Sequence, residues 1–121
     1  MLLNLSNHPS AKWPENQQHA AEQQFADIND LSFPNVDPSW GTPEIEEFAE
    51  KYLALILEKK PKAVHIMGEF TFTFALVSML QTNGIRCIAS TTERIIKETS
   101  DGKREYTFQF IRFREYSGNP Y

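Results

Sequence analysis

The stretch TPEIEEFAEKYLALILEKKPKAVHIM (residues 42–67) contains the structural unit on which the rest of the chain is built. Its first part predicts a helix, because Thr42 can cap the start, Pro43 suits the first helical position and glutamates follow in the first turn. Apolar residues recur at helical spacing up to Lys59, and a proline then stops the pattern. The short apolar run 63–67 predicts a buried strand. A helix followed by a buried strand indicates an α/β fold.

The flanking segments continue this alternation of strands and helices. Towards the N-terminus the pattern predicts a strand over 2–6, a surface helix from Pro14 to Phe25 and a strand over 27–33. Towards the C-terminus it predicts a helix over 70–82, a strand over 85–90, and strands over 94–98 and 105–114 that form a hairpin turning at Asp101-Gly102. A strand over 70–74 is the competing interpretation of the third helix. The order predicts a Rossmann-like, mostly parallel sheet flanked by helices, with a C-terminal β-hairpin.

Length and cysteine content limit the class of protein. The 121 residues are enough for one domain, which we assign to 1–116, with 117–121 as a C-terminal tail. The lone Cys87 cannot form an internal disulfide, and no CxxC motif is present, which favours a reducing compartment. The sequence shows neither a signal peptide nor a run of membrane-spanning length. We therefore expect a cytoplasmic protein with no membrane partner.

The charge of the chain is unevenly distributed. The net charge is −4, and the calculated pI of 5.3 argues against a general DNA- or RNA-coating protein. Residues 1–83 carry five lysines and eleven acids, whereas residues 84–121 carry all five arginines and a net charge of +2. Arginine suits an anionic ligand, and it equally suits pairing with the acidic first part of the chain. Charge alone leaves both interpretations open.

Polar segments follow three of the predicted strands. They are Ser6-Asn7-His8, Gly68-Glu69 with Thr71, and Ser90-Thr91-Thr92-Glu93-Arg94. Ligands of open parallel sheets bind beyond the carboxyl ends of the strands, near the point where strand order reverses. If the first and third strands are neighbours, the first two segments face each other there. A helix that starts after Gly68 would also offer backbone N–H groups to a phosphate.

Each of these candidates has a plain structural interpretation as well. Gly68 is typical of a tight turn and Glu69 of a helix start. His65 lies inside an apolar strand, where a core histidine is more common than a ligand. Trp13 and Trp40 can pack a loop onto the core, or they can stack on a base or a partner subunit.

Motifs for several common chemistries are missing. The three histidines are scattered, and no HExxH motif, Walker loop or GxGxxG motif occurs. A serine-hydrolase elbow is also missing. We therefore predict neither a metal nor a cofactor.

Four segments, taken in order, resemble the small CRISPR-ancillary ring nucleases of the Csx type, relatives of the CARF-domain sensors. They are Leu3 to Pro9 (LNLSNHP), Val64 to Thr71 (VHIMGEFT), Ala89 to Arg94 (ASTTER) and Phe110 to Tyr116 (FIRFREY). The resemblance implies a homodimer that binds a cyclic oligoadenylate, the second messenger of antiviral defence, and cleaves it. One departure is Asn7, which separates Ser6 from His8.

The resemblance also implies roles for individual residues. His8 or Glu69 would transfer protons, and the residues binding the ligand would be Ser6, Asn7, Gly68, Thr71, Thr91, Thr92 and Arg94. RNA carries its own nucleophile, the 2′-hydroxyl, so cleavage needs no metal. Two alternatives stay open. One is a non-catalytic sensor or sponge for the same ligand, and the other is a protein interaction module that uses Trp40 and the aromatic hairpin.

Overall fold

The computed structural model describes residues 1–118. The elements are β1 (Leu2–Ser6), a 3-10 turn (Ser10–Lys12), α1 (Glu15–Phe25), β2 (Ile28–Ser32), α2 (Thr42–Lys59), β3 (Ala63–Met67), α3 (Phe70–Thr82), β4 (Arg86–Glu98) and β5 (Arg104–Glu115). Of the expected tail, residues 119–121 lie outside the described residues. Within residues 1–118, no helix is long and apolar enough to cross a membrane.

The five strands form one sheet with the order β2-β1-β3-β4-β5. β1 pairs in parallel with β2 on one side and β3 on the other, β3 pairs in parallel with β4, and β5 is antiparallel to β4. This confirms the predicted α/β fold with a mostly parallel sheet and a C-terminal hairpin. Strand order reverses between β1 and β3, which is where ligands of such sheets bind.

The helices cover both faces of the sheet. α2 and α3 bury Ile56, Phe72 and Leu80 against one face, together with Leu5 and Ile66 of the central strands. The other face is covered by α1 and by aromatic side chains from the loop before α1 and from β5; this second cluster comprises Leu2, Trp13, Ala21, Phe25, Ala63, Ile88, Phe110 and Phe113. Burial on both faces explains why β1 and β3 are almost continuously apolar.

The ends of the helices agree with the pattern in part. The third helix covers 70–82 as predicted, and Gly84 behind it adopts a φ of +77°, a conformation that suits glycine. The cap predicted for Thr42 is wrong. Gly41 occupies the N-cap position, no side chain caps α2, and Thr42 is already helical. Gly41 supplies the extended backbone of the N-cap, with φ of −90° and ψ of −177°, so Thr42 is the first helical residue and the helix starts one residue earlier than expected.

The largest difference from the prediction lies in β4. We expected two strands separated by a polar turn at 90–94, but β4 runs unbroken from Arg86 to Glu98. It pairs with β3 only over 86–88, whereas its ladder with β5 continues to Glu98, with one irregularity between Thr91 and Thr92. The backbone hydrogen bonds of β5 therefore hold extended a segment that looks like a loop in the sequence.

Beyond this irregularity the two strands pair only with each other. We call residues 92–110 the hairpin arm. Its turn lies at 99–103, where Gly102 has a φ of +81°, so the predicted hairpin turn is confirmed. The arm carries several large apolar side chains that are exposed, namely Ile96, Tyr106 and Phe108.

Candidate functional site

A cavity of about 470 Å³ lies at the carboxyl ends of β1 and β3. We call it the switch-point cavity, because it lies where strand order reverses. Its walls come from every strand except β2, from the segment between β1 and α1, from the first turn of α1 and from the turn after β3. They comprise Ser6, Asn7, His8, Lys12, Trp13, Pro14, Gln17, His65, Met67, Gly68, Ser90, Thr92, Phe108 and Phe110. Its volume falls in the range of small-molecule sites.

Five of the sequence candidates meet at this cavity. Ser6, Asn7 and His8 come from the end of β1, Gly68 from the end of β3 and Thr92 from β4. The condition for the first two polar segments to face each other is met, because β1 and β3 pair directly with Ser6 opposite Met67, but of the second segment only Gly68 lines the cavity. The individual roles of these residues stay predictions.

A buried asparagine organises the polar floor beside the cavity. Both hydrogens of the Asn4 amide nitrogen are used, one by the Asp30 carboxylate and one by the His8 carbonyl, each at 2.8 Å. The opposite amide flip would place its oxygen against these two acceptors. The Asn4 Oδ1 atom therefore accepts hydrogen bonds, from the Ser6 hydroxyl at 2.8 Å and from His65 Nδ1 at 2.9 Å.

Asp30 holds the outer end of this network. Burial raises the pKa of its carboxyl, but hydrogen bonds from Asn4 and from the backbone and hydroxyl of Ser10 outweigh burial and hold the pKa below its ordinary value. The carboxylate is therefore ionised at neutral pH and is a strong acceptor. It fixes the amide orientation of Asn4 and ties the loop after β1 to β2.

His65 is the inner end of the network. Only 2% of it is exposed, and burial lowers its pKa from 6.5 to about 4, so the imidazole is neutral at physiological pH. Trp13 and Phe113 lie against the ring, with centroid distances of 5.0 and 5.7 Å. Among residues 1–118 its Nε2 atom has no hydrogen-bond partner.

The loop after β1 is anchored through its backbone and leaves two side chains free. The His8 carbonyl accepts hydrogen bonds from the Asn4 amide and from Trp13 Nε1 at 3.0 Å. The His8 imidazole is exposed and forms no hydrogen bond within the described part of the chain. Asn7 is exposed beside it, whereas the Ser6 hydroxyl is already engaged by Asn4.

The start of α3 differs from the expected phosphate cradle. Glu69 is the N-cap residue, and its carboxylate accepts hydrogen bonds from the backbone N–H groups of Thr71 and Phe72 at 3.0 and 2.8 Å. The Thr71 hydroxyl donates to the same carboxylate. These bonds, that of Phe72 first, lower the pKa of Glu69. The backbone N–H groups that were expected to bind a phosphate therefore already bond to Glu69, and its negative charge lies where the phosphate would bind.

Four further candidates, Glu69, Thr71, Thr91 and Arg94, do not line the cavity. The Thr91 hydroxyl bonds the backbone of Arg112 across the β4–β5 ladder. Arg94 lies in the hairpin arm, with its guanidinium 5.1 Å from the Tyr106 ring centroid. The cavity therefore has one cationic side chain among the described residues, Lys12.

Gly68 is required by space. A Cβ atom at this position would lie 2.2 Å from the ring of Phe33, which packs over the turn between β3 and α3. No side chain fits there without moving that ring. The absence of a side chain at Gly68 thus allows Phe33, from the loop after β2, to pack against this turn.

Sequence reasoning assigned no site role to Lys12 or Gln17, gave stacking on a base only as an alternative for Trp13, and favoured a core role for His65. Lys12, Trp13 and Gln17 come from the segment before α1 and from its first turns, and His65 comes from β3. The signals were present but weak: Gln17 is a buried glutamine on a polar helix, and His65 is a polar residue inside an apolar strand. Either feature is typical of a core as much as of a site.

A second, larger groove of about 1290 Å³ runs along α3 towards the end of β5. Its lining is mainly apolar and includes Trp40, Phe70 and Phe74, the last two 89% and 79% exposed. Its lining includes neither a histidine nor a lysine among the described residues. We therefore place the chemistry in the smaller switch-point cavity, which has both.

Comparisons with known proteins give a family and no activity. A comparison with curated proteins returns no significant match, and a comparison with solved structures returns none. Within residues 1–118, no group of three His, Cys, Asp or Glu side chains is placed to hold a metal ion. A family model matches residues 1–114, which include every residue that lines the cavity. The chain belongs to the uncharacterized protein MJ1673 family.

Proposed function

We propose that the protein binds a cyclic oligoadenylate at the switch-point cavity and opens the ring by attack of a ribose 2′-hydroxyl, without a metal. The observation that carries this proposal is the cavity itself. It combines aromatic rings for a base, hydrogen-bonding side chains and one lysine at the ligand position of a flavodoxin-like strand order. The order of polar segments that resembles the ring nucleases supports the choice of ligand.

The reaction balances with groups of the ligand and of this chain. The 2′-oxygen attacks the adjacent phosphorus, its proton passes to a base, and the bond from phosphorus to the 5′-oxygen breaks. The leaving 5′-oxygen takes up a proton. The products are a 2′,3′-cyclic phosphate and a 5′-hydroxyl on one linear chain. The enzyme contributes alignment of the attacking oxygen, proton transfer and stabilisation of phosphate charge.

His8 and Lys12 are the residues of this cavity suited to those tasks. His8 is exposed and is held in place through its carbonyl, whereas its imidazole forms no hydrogen bond among residues 1–118 and is free to exchange protons with a ligand. Lys12 supplies positive charge to a phosphate. Glu69 caps α3 outside the cavity, so the proposal gives proton transfer to His8.

We propose that the active form is a homodimer. Directly opposed residues of an antiparallel ladder share a face, so the pairs Ile96 with Tyr106 and Arg94 with Phe108 lie on the same face of the hairpin arm. That face carries the exposed apolar side chains of Ile96, Tyr106 and Phe108 beside Arg94, and it runs on into the cavity at Phe110. An isolated two-stranded ribbon is only marginally stable in water. A second copy lying on this face would cover it and close the cavity.

Cyclic tri-, tetra- and hexa-adenylate incubated with the protein in excess EDTA provide the test. We expect linear products that end in a 2′,3′-cyclic phosphate, resolved by chromatography and mass. His8→Ala should slow ring opening by about 100-fold, the usual range for a proton-transfer group. His19→Ala, which changes an exposed histidine of α1, is the matched control and should keep the wild-type rate.

Three outcomes contradict parts of the proposal. Intact rings together with a rise in Tm would show binding without turnover and favour a sensor or sponge. Intact rings with no change in Tm would overturn the nucleotide ligand and leave an interaction module. Equal rates for His8→Ala and His19→Ala would remove His8 from the chemistry.

A further inference from the structure

We propose that His65 Nε2 is a hydrogen-bond acceptor that reads an N–H group on the edge of a planar heteroaromatic ring, as the 6-amino group of adenine presents it. The inference rests on the proposed function for the identity of the ring. It assigns the buried β3 histidine as a specificity-determining residue of the switch-point cavity.

The hydrogen-bond network determines which ring nitrogen carries the proton. Asp30 and the His8 carbonyl take both hydrogens of the Asn4 amide, so Asn4 Oδ1 faces His65 and can only accept. His65 Nδ1 must therefore be the protonated nitrogen. The second nitrogen, Nε2, is left with a lone pair, and no group in residues 1–118 donates to it.

The surroundings of His65 suit a flat apolar ligand that carries one polar edge. Trp13 and Phe113 contact the imidazole, and Phe110 packs against Phe113 at 5.0 Å between centroids. Trp13 and Phe110 also line the cavity. A buried acceptor without a donor carries the full cost of its lost hydration, which a ligand N–H would remove.

The same imidazole is poorly suited to abstract a proton. A general base works best with a pKa near the operating pH, and burial holds the pKa of His65 at about 4. It is therefore neutral and weakly basic, which suits recognition and leaves proton transfer to the exposed His8. A site built to bond an N–H group discriminates strongly against a ligand that lacks it, because its acceptor then stays unpaired.

The first experiment needs no ligand and tests the tautomer. Long-range proton–nitrogen spectra of the protein, with 15N in its histidines, distinguish a protonated ring nitrogen from one with a free lone pair. We expect His65 to carry its proton on Nδ1 and none on Nε2 at neutral pH. A proton on Nε2 would overturn the proposal, whatever the protein does with cyclic oligoadenylates.

The second experiment compares two probes on the unaltered protein. We expect 5′-AMP to bind at least about tenfold more tightly than purine riboside 5′-monophosphate, which differs only in lacking the 6-amino group. In His65→Phe, which keeps a flat ring and removes the acceptor, the two probes should bind equally. Equal affinities for the wild-type protein, or no binding of 5′-AMP at millimolar concentration, would overturn the inference.

The two proposals fail in different ways. If rings stay intact but the wild-type protein binds 5′-AMP more tightly than purine riboside 5′-monophosphate, the nuclease proposal fails and recognition of the base by His65 stands. If rings open while both probes bind equally, the nuclease proposal stands and His65 has no part in recognition.

Discussion

The polar floor beside the switch-point cavity and the hairpin arm differ in which of their groups lack a partner. At this polar floor, Asn4 and Asp30 have their polar side-chain atoms bonded, whereas His65 Nε2 has no partner among residues 1–118. In the arm the backbone is paired along its whole length, but apolar side chains such as Tyr106 and Phe108 remain uncovered. The first region lacks a hydrogen-bond donor and the second lacks an apolar partner. This difference is the reason that we propose a ligand at the first region and a second copy at the second.

The folded protein should lose stability in acid because of His65 at the polar floor. The unfolded histidine has a pKa of 6.5 and the folded one a pKa of about 4, so the unfolded chain binds more protons between these values. The contribution of His65 to the free energy of unfolding is therefore fully present above pH 6.5. It is lost as pH is lowered towards 4, and the loss is about 3 kcal/mol. Urea unfolding at a series of pH values measures this dependence.

His65→Phe is the control for that titration. Carboxylates with lowered pKa values, such as Asp30, titrate in both proteins, so the difference between the two curves isolates the histidine. A parallel pH dependence in the variant would show that His65 is not a neutral buried group. Should the variant not fold, the pKa of His65 itself can be followed by NMR in the wild-type protein, and a value near 6.5 would contradict the prediction equally.

Gly68→Ala should disturb the cavity rim through a purely steric effect. The added methyl would overlap the Phe33 ring, and we expect a loss of about 2 kcal/mol in the free energy of unfolding, typical of an overpacked site. Denaturant unfolding measures it. In a Phe33→Ala background the same change should cost much less, because the ring that blocks the methyl is gone. Additive effects would show that Gly68 matters for another reason.

Tyr106→Ser tests whether a second copy covers the arm. Tyr106 is 52% exposed on the apolar face, and its loss should weaken dimerisation by about tenfold, as measured by sedimentation. Thr107→Ser changes the next residue, whose side chain points to the opposite face, and should leave dimerisation unchanged. A monomeric wild-type protein, or equal dissociation constants for both variants, would contradict the dimer.

How well the sequence predicts each region follows from how local its determinants are. The bounds of β3 and α3 and the end of α2 follow from local apolar periodicity and agree with the structure, whereas α2 begins one residue earlier than expected. The unbroken β4 was not predictable from its own residues, because β5 supplies the hydrogen bonds that extend it. The role of His65 also depends on distant partners, since Asn4 and Trp13 reach it from other parts of the chain. The identity of one residue in an apolar run does not indicate which distant residues will contact it in the fold.

Glu69 is another residue whose role could not be predicted from the sequence alone, and its substitution is expected to have the smallest effect on stability. The sequence allows it to be a proton-transfer group or a helix-start acid, and its bonds to the N–H groups of Thr71 and Phe72 favour the second. Glu69→Ala should therefore lower the free energy of unfolding by about 1 kcal/mol, the usual contribution of a side-chain cap, and leave the rate of ring opening within about twofold. Glu69→Asp, which keeps the acceptor, should retain most of the stability. A fall in rate comparable to that of His8→Ala, without a matching loss of stability, would instead make Glu69 part of the reaction.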